Sequence, residues 1–221
     1  MLKKISPFIL LIILCVIGIY AGFQIIESEE TPNERAITNV PVAVDTIKIP
    51  SNKVAPVPEF YEPTTEFSER ITKKKFGTYV TFENSPTPPE RFIGYHTGVD
   101  VEFEDVEKEV SVKAISSGTV VYSGYVDGYG GVVLITHKIN GAERTVIYGH
   151  LDPASLPLPN KRVKANEPIG VLGDNRSSET NGERKHLHFA ILSDSRVDFR
   201  GYVQEKSQLS GWLNPLSLNY N

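Results

Sequence analysis

The sequence predicts a mainly β domain, an antiparallel β-sheet or β-sandwich, behind an N-terminal transmembrane or signal helix. Three observations lead there. Residues 8–23 (FILLIILCVIGIYAGF) are apolar and carry no charge. From Phe60 onward, short runs rich in Val, Ile, Thr and Tyr alternate with turn signals, which is the pattern of strands. No amphipathic stretch longer than two helical turns interrupts that pattern.

The first element is the apolar segment, residues 1–26. Lys3 and Lys4 precede it, and Glu27, Glu29 and Glu30 follow. A basic flank before an apolar run marks a secretory signal or a membrane anchor whose basic end stays in the cytoplasm. A span needs ~20 apolar residues and ~17 can suffice; the run reaches that length through Ile25 and Ile26. An uncleaved anchor and a signal cleaved near Ala21 both fit, although Ile19 and Ala21 make a poor small-residue cleavage site. The expected location is the cell envelope, with the β domain outside the cytoplasmic membrane or released from it. The single cysteine, Cys15, lies inside the run, so no disulfide can form within the chain. Leu14 before it speaks against a lipoprotein.

Residues 27–58 mix charge, proline and isolated aliphatics without a period. They read as an extended or disordered tether, in which VPVAV and DTIKI could each pair as a strand. Residues 59–221 form the domain, with enough chain to bury a core. The net charge of −4 gives no reason to expect a nucleic-acid partner.

Within the domain, strands are expected at 77–82, 99–103, 110–115, 118–125, 131–137, 144–151, 168–172 and 186–192. Asn140-Gly141 is a hairpin signal, and Gly128, Gly130 and Gly131 mark another tight connection. Pro153, Pro157 and Pro159 rule out regular structure just after His150.

Four of the five histidines fall into three clusters: His96-Thr97-Gly98-Val99-Asp100, Tyr148-Gly149-His150-Leu151 and His186-Leu187-His188-Phe189. A catalytic zinc takes about three protein ligands from His and carboxylate and keeps one position for water. His186 and His188 share one face of a strand, because side chains alternate. His96 and Asp100, four apart, share a face if that stretch is extended, and Gly98 would let the backbone approach a bound ligand closely. Taken singly, each signal is weak: a strand histidine, such as His137, is usually packed or hydrogen-bonded, and Asp100 with Glu102 and Glu104 could be a solvated face. The ordered set is far more specific than its parts.

HTGVD, YGHL and HLHF, with the glycine-rich stretch between them, resemble the lysostaphin/LytM-type zinc metallopeptidases that cut peptidoglycan peptides. The likeness covers about residues 70 to 192. It implies one zinc per chain held by His96, Asp100 and His188, with His150 and His186 as catalytic histidines whose division of labour the sequence leaves open. It also implies a zinc-dependent endopeptidase acting on peptidoglycan cross-link or stem peptides in cell wall remodelling. An imidazole titrates near pH 6.5, so activity is expected to fall below about pH 6. The stretch before HLHF departs from the family's small-residue pattern: residues 175–185 are longer and charged. That puts substrate preference in question and places Arg184 and Lys185 where they could meet substrate carboxylates. Two rivals remain. A non-catalytic relative that binds cell wall or activates an amidase would be expected to show gaps in the motif, and there are none. A lipoyl-like carrier would need a lysine at a hairpin tip, and Asn140-Gly141 offers none.

Overall fold

The computed structural model describes residues 59–221; the apolar segment and the tether lie outside the described residues. The strands, in chain order, are β1 (Tyr79–Val80), β2 (Gly94–His96), β3 (Val99–Glu102), β4 (Ser111–Lys113), β5 (Gly118–Val126) and β6 (Gly130–Ile139). They continue with β7 (Ala142–Leu151), β8 (Arg162–Val163), β9 (Pro168–Val171), β10 (His186–Leu192), β11 (Tyr202–Val203) and β12 (Trp212–Leu213). The only helices among the described residues are short 3-10 turns, one of them Pro153–Ser155 just past His150. There the prolines exclude a strand but permit this single turn.

A seven-stranded sheet runs β12-β10-β7-β6-β5-β8, and β3 also pairs with β10. Every pairing in it is antiparallel. β3 lies along the His186–Phe189 half of β10, and β12 along Ile191 and Leu192. β1, β2 and β11 form a three-stranded sheet, and β4 pairs with β9. The β6–β7 hairpin turns at Asn140 and Gly141, with φ of 51° and 79°, the left-handed pair that a two-residue hairpin requires.

Alternation explains why the large sheet is buried on both faces. One face sends Val133, Ile135, Val146, Tyr148, Leu187, Phe189 and Ile191 into the larger core, where Phe67 meets Phe189 edge-on at 5.6 Å. The other sends Val132, Leu134, Ile147, Ala190 and Leu192 against Val203 and Trp212. Each such aliphatic or aromatic burial stabilises by about 1.5–3 kcal/mol. The even-numbered residues of β10 all point to this second face, so His186 and His188 stand in line with Ala190 and Leu192.

Candidate metal centre

The register of β10 sets the site. His188 pairs with Asp100 on β3 and with Gly149 on β7, and His186 pairs with Glu102. Directly paired residues share a face of the sheet, so Asp100 and His188 emerge side by side. His96 arrives from the other sheet. It ends β2, where its partner is Tyr202 on β11. The sequence expectation of one extended stretch from His96 to Asp100 does not hold: the chain bends at Thr97-Gly98 and changes sheet there. A Cβ on Gly98 would lie 2.4 Å from the Phe189 carbonyl oxygen. The glycine is therefore needed for contact with β10 itself.

His96 Nε2, His188 Nδ1 and Asp100 Oδ1 form a nearly equilateral triangle. Its edges are 3.1 Å between the imidazoles, and 3.1 and 3.2 Å from the carboxylate to His188 and His96. Ligands ~2.0–2.1 Å from a tetrahedral zinc stand about 3.3–3.4 Å apart, so the donor set fits such an ion with a small outward relaxation. His96 Nδ1 faces the Lys75 carbonyl at 3.3 Å. A carbonyl only accepts, so Nδ1 carries the proton and Nε2 presents its lone pair to the triangle. All three residues are buried. Burial alone would raise the Asp100 carboxyl, but His96, His186 and Arg184 overcome it and hold Asp100 well below the usual carboxylate range.

His150 reaches the site by a different device. Gly131 pairs with Leu151 and Val132 with Gly149, so His150 is an extra residue without a partner on β6. Its φ is 64°. Plain alternation would turn it to the Tyr148 face, into the large core; the bulge turns it to the His186 face instead. The two rings lie 4.2 Å apart. Burial, and then the neighbouring His188, push His150 down to about 3. Burial followed by Arg184 lowers His186 well below its ordinary value. His186 Nδ1 donates to the Arg184 carbonyl at 2.8 Å, which leaves Nε2 as a proton acceptor. The structure thus brings together all five residues singled out from the sequence. His137 stands apart, buried against Ser117 O at 3.2 Å and Tyr148 Oη at 3.1 Å.

A cleft of about 520 Å³ opens over Asp100, His150, His186 and His188. Gly128 and Glu183 line it, together with Phe92, Phe199, Tyr129 and Tyr202. His150 Nδ1, His188 Nε2 and Tyr129 Oη are buried without a protein partner. Buried polar atoms are normally paired, so these cleft residues hold unused hydrogen-bonding capacity. Arg184 and Lys185 correct a sequence expectation. Lys185 does not line the cleft, and its Nζ donates to the carbonyls of Val106 and Lys108; Arg184 does line it, but is 1% exposed and ion-paired with Asp100 and Glu102. Sequence reasoning also missed Tyr202, which lies past the motifs. It packs against His96 at 5.2 Å and accepts from Lys74 Nζ at 2.9 Å; Lys74 is itself in a buried ion pair with Glu90.

Residues 94–199 match the sequence profile of Peptidase family M23. Stage II sporulation protein Q of Bacillus subtilis (strain 168) is 31% identical over 146 residues, 66% of this chain and 45% of that protein. DD-carboxypeptidase/endopeptidase Mpg of Neisseria meningitidis serogroup B is 33% identical over 94 residues, 42% of this chain and 19% of that protein. The chain thus spans less than half the length of either curated relative. Among solved structures, a chain of the SpoIIIAH and SpoIIQ complex aligns with a TM-score of 0.47 at 26% identity, covering 72% of this chain and 98% of that one. LytU aligns with a TM-score of 0.40 at 24% identity, covering 65% and 81%.

Proposed function

We propose that this chain is a zinc-dependent endopeptidase that hydrolyses peptide cross-links of peptidoglycan, a reading supported by the match of residues 94–199 to Peptidase family M23. The observation that carries this reading is the completeness of the site: a three-donor triangle with two neutral imidazoles beside it, on the floor of a cleft. His96, Asp100 and His188 would hold the ion. Zinc bound there would supply a Lewis acid and a water acidified toward neutral pH. His186 Nε2, with its lone pair free, takes the proton of the attacking water and returns it to the leaving amine. His150, kept neutral by burial, donates to the oxyanion that develops on the scissile carbonyl. We further propose that residues 1–26 anchor or export the domain across the cytoplasmic membrane and that residues 27–58 tether it within reach of the wall.

One observation favours a second reading. Stage II sporulation protein Q matches over more of this chain than Mpg does, and its name specifies no peptidase. In that reading the chain is a non-catalytic relative that binds cell wall or activates an amidase. Incubation of the purified chain with cross-linked muropeptides at neutral pH, with and without a zinc chelator, separates the two. Chelator-sensitive conversion of dimers to monomers supports the endopeptidase. A chain that binds zinc, sediments with peptidoglycan and leaves dimers intact is the non-catalytic relative. Release of stem peptides from glycan strands would instead make it an amidase-type hydrolase.

A further inference from the structure

Asp100 uses its two oxygens for different partners. Oδ1 belongs to the triangle with His96 and His188. Oδ2 accepts from Arg184 Nη2 at 2.7 Å. The same Nη2 donates to Glu102 Oε1 at 2.7 Å, and Arg184 Nε donates to Glu102 Oε2 at 2.7 Å. The strands dictate this arrangement. Asp100 and Glu102 alternate onto one face of β3, opposite His188 and His186. Arg184, two residues before His186, continues the same row just past the end of β10. Its side chain is 2% exposed, and the carboxylates of Asp100 and Glu102 are 3% and 9% exposed. Such an isolated buried cation would be costly, and two carboxylates meeting it with a planar fork offset that cost.

The charged stretch that departs from the family's usual sequence thus includes a guanidinium docked on the Asp100 carboxylate. Resting on the metal centre proposed above, we propose that Arg184 is a positioning residue: it occupies Asp100 Oδ2, so that Asp100 offers an ion one oxygen, and Glu102 balances the guanidinium charge. A carboxylate free at both oxygens can chelate an ion in bidentate fashion and fill the position a catalytic site keeps for water. Arg184 prevents this by hydrogen bonding. Without Glu102 its charge would oppose a dication bound a few ångströms away. Coordination number therefore depends on Arg184, and affinity on Glu102.

The test uses the full chain loaded with Co²⁺, whose visible absorption is strong when four-coordinate and weak when five-coordinate, with zinc affinity measured by chelator competition. The wild type should take up one ion per chain with strong absorption. Glu102→Gln should keep that spectrum while zinc Kd rises about tenfold or more, the scale of outer-shell substitutions. Arg184→Met, and the double variant Arg184→Met with Glu102→Gln, should bind one ion with absorption weakened several-fold. The double variant removes both buried charges, which is far milder to the fold than leaving one unpaired. Variants that lose thermal stability yet keep the wild-type Co²⁺ spectrum and zinc affinity would show Arg184 to be merely structural and overturn the inference. A wild-type chain that takes up no ion would instead overturn the metal centre itself.

Discussion

His150 shows how much one residue's backbone decides. Its left-handed φ of 64° and its place as the extra residue of a bulge turn the imidazole toward His186. Such conformations cost about 1–3 kcal/mol and collect at functional sites. Its location in the motif was legible; the bulge was not, because nothing in Tyr-Gly-His-Leu distinguishes a regular strand from a bulged one. His150→Ala and His186→Ala are expected to keep the ion and to lose about 10²-fold or more of hydrolytic rate, as for a lost acid–base group. Wild-type rate in either variant removes that residue from the mechanism. Burial also changes the pH expectation. With His150 pushed down to about 3, its charging cannot produce a loss of activity near pH 6, and the acid limb it contributes should lie well below pH 5. His137 makes a separate prediction about stability. Burial pushes it down to about 4, against about 6.5 unfolded. Between those values the unfolded chain binds the extra proton, so stability falls as pH drops from 6.5 toward 4, by up to about 3 kcal/mol in all. Urea midpoints should fall less steeply between pH 7 and 5 for His137→Gln than for wild type. Equal slopes would remove His137 as a contributor.

At the level of elements, β10 is the organising strand. Its ends were legible to the residue, since HLHFAIL alternates His and aliphatic partners and begins at the motif. β5, β6 and β7 were also legible, each extending one to two residues beyond the expected limits at one or both ends. β2, β8, β11 and β12 were not foreseen. Each has only two or three residues, too few for a period to register, and each exists because a neighbouring strand offers an edge. The expected strand at 77–82 shrinks to Tyr79–Val80 for the same reason: only those two residues find partners on β2. This weakness matters for the site, because His96 sits on β2. The Thr97-Gly98 bend carries the chain between sheets, and the Phe189 carbonyl would lie 2.4 Å from a new Cβ at position 98. A backbone oxygen inside a seven-stranded sheet cannot step aside as a flexible side chain would. Gly98→Ala should therefore push the bend off β10, destabilise by about 1–3 kcal/mol, and weaken zinc binding through displacement of His96 relative to His188. Calorimetry and chelator competition on the same variant check both effects. Unchanged zinc affinity in a destabilised variant would mean that His96 is held by Lys75 and Tyr202 rather than by the bend.

At the scale of the whole domain, the three side chains of the triangle join two sheets. His96 belongs to the three-stranded sheet, while Asp100 and His188 belong to the seven-stranded one. Between them lie the bend at Thr97-Gly98 and the cluster that includes Val132, Leu134, Val203 and Trp212. An ion bound by these residues would fasten the sheets through side chains from β2, β3 and β10. The unfolded chain has no preformed site, so most of the binding free energy would appear as folding stability. With free zinc at about a thousand times Kd the gain is about 4.1 kcal/mol. For a domain of this size that corresponds to a melting temperature roughly 8–16 °C higher. Chelator should abolish the gain. Asp100→Ala should abolish it too, because it deletes one corner of the triangle while leaving the apolar cores untouched. His150→Ala should retain it, because His150 lies outside the triangle. Differential scanning calorimetry of the three proteins with zinc and with chelator gives six transitions to compare. A zinc-dependent rise that persists in Asp100→Ala would place the ion elsewhere. A rise lost in His150→Ala would make that histidine a ligand, leaving His186 as the only proton-transfer group beside the ion.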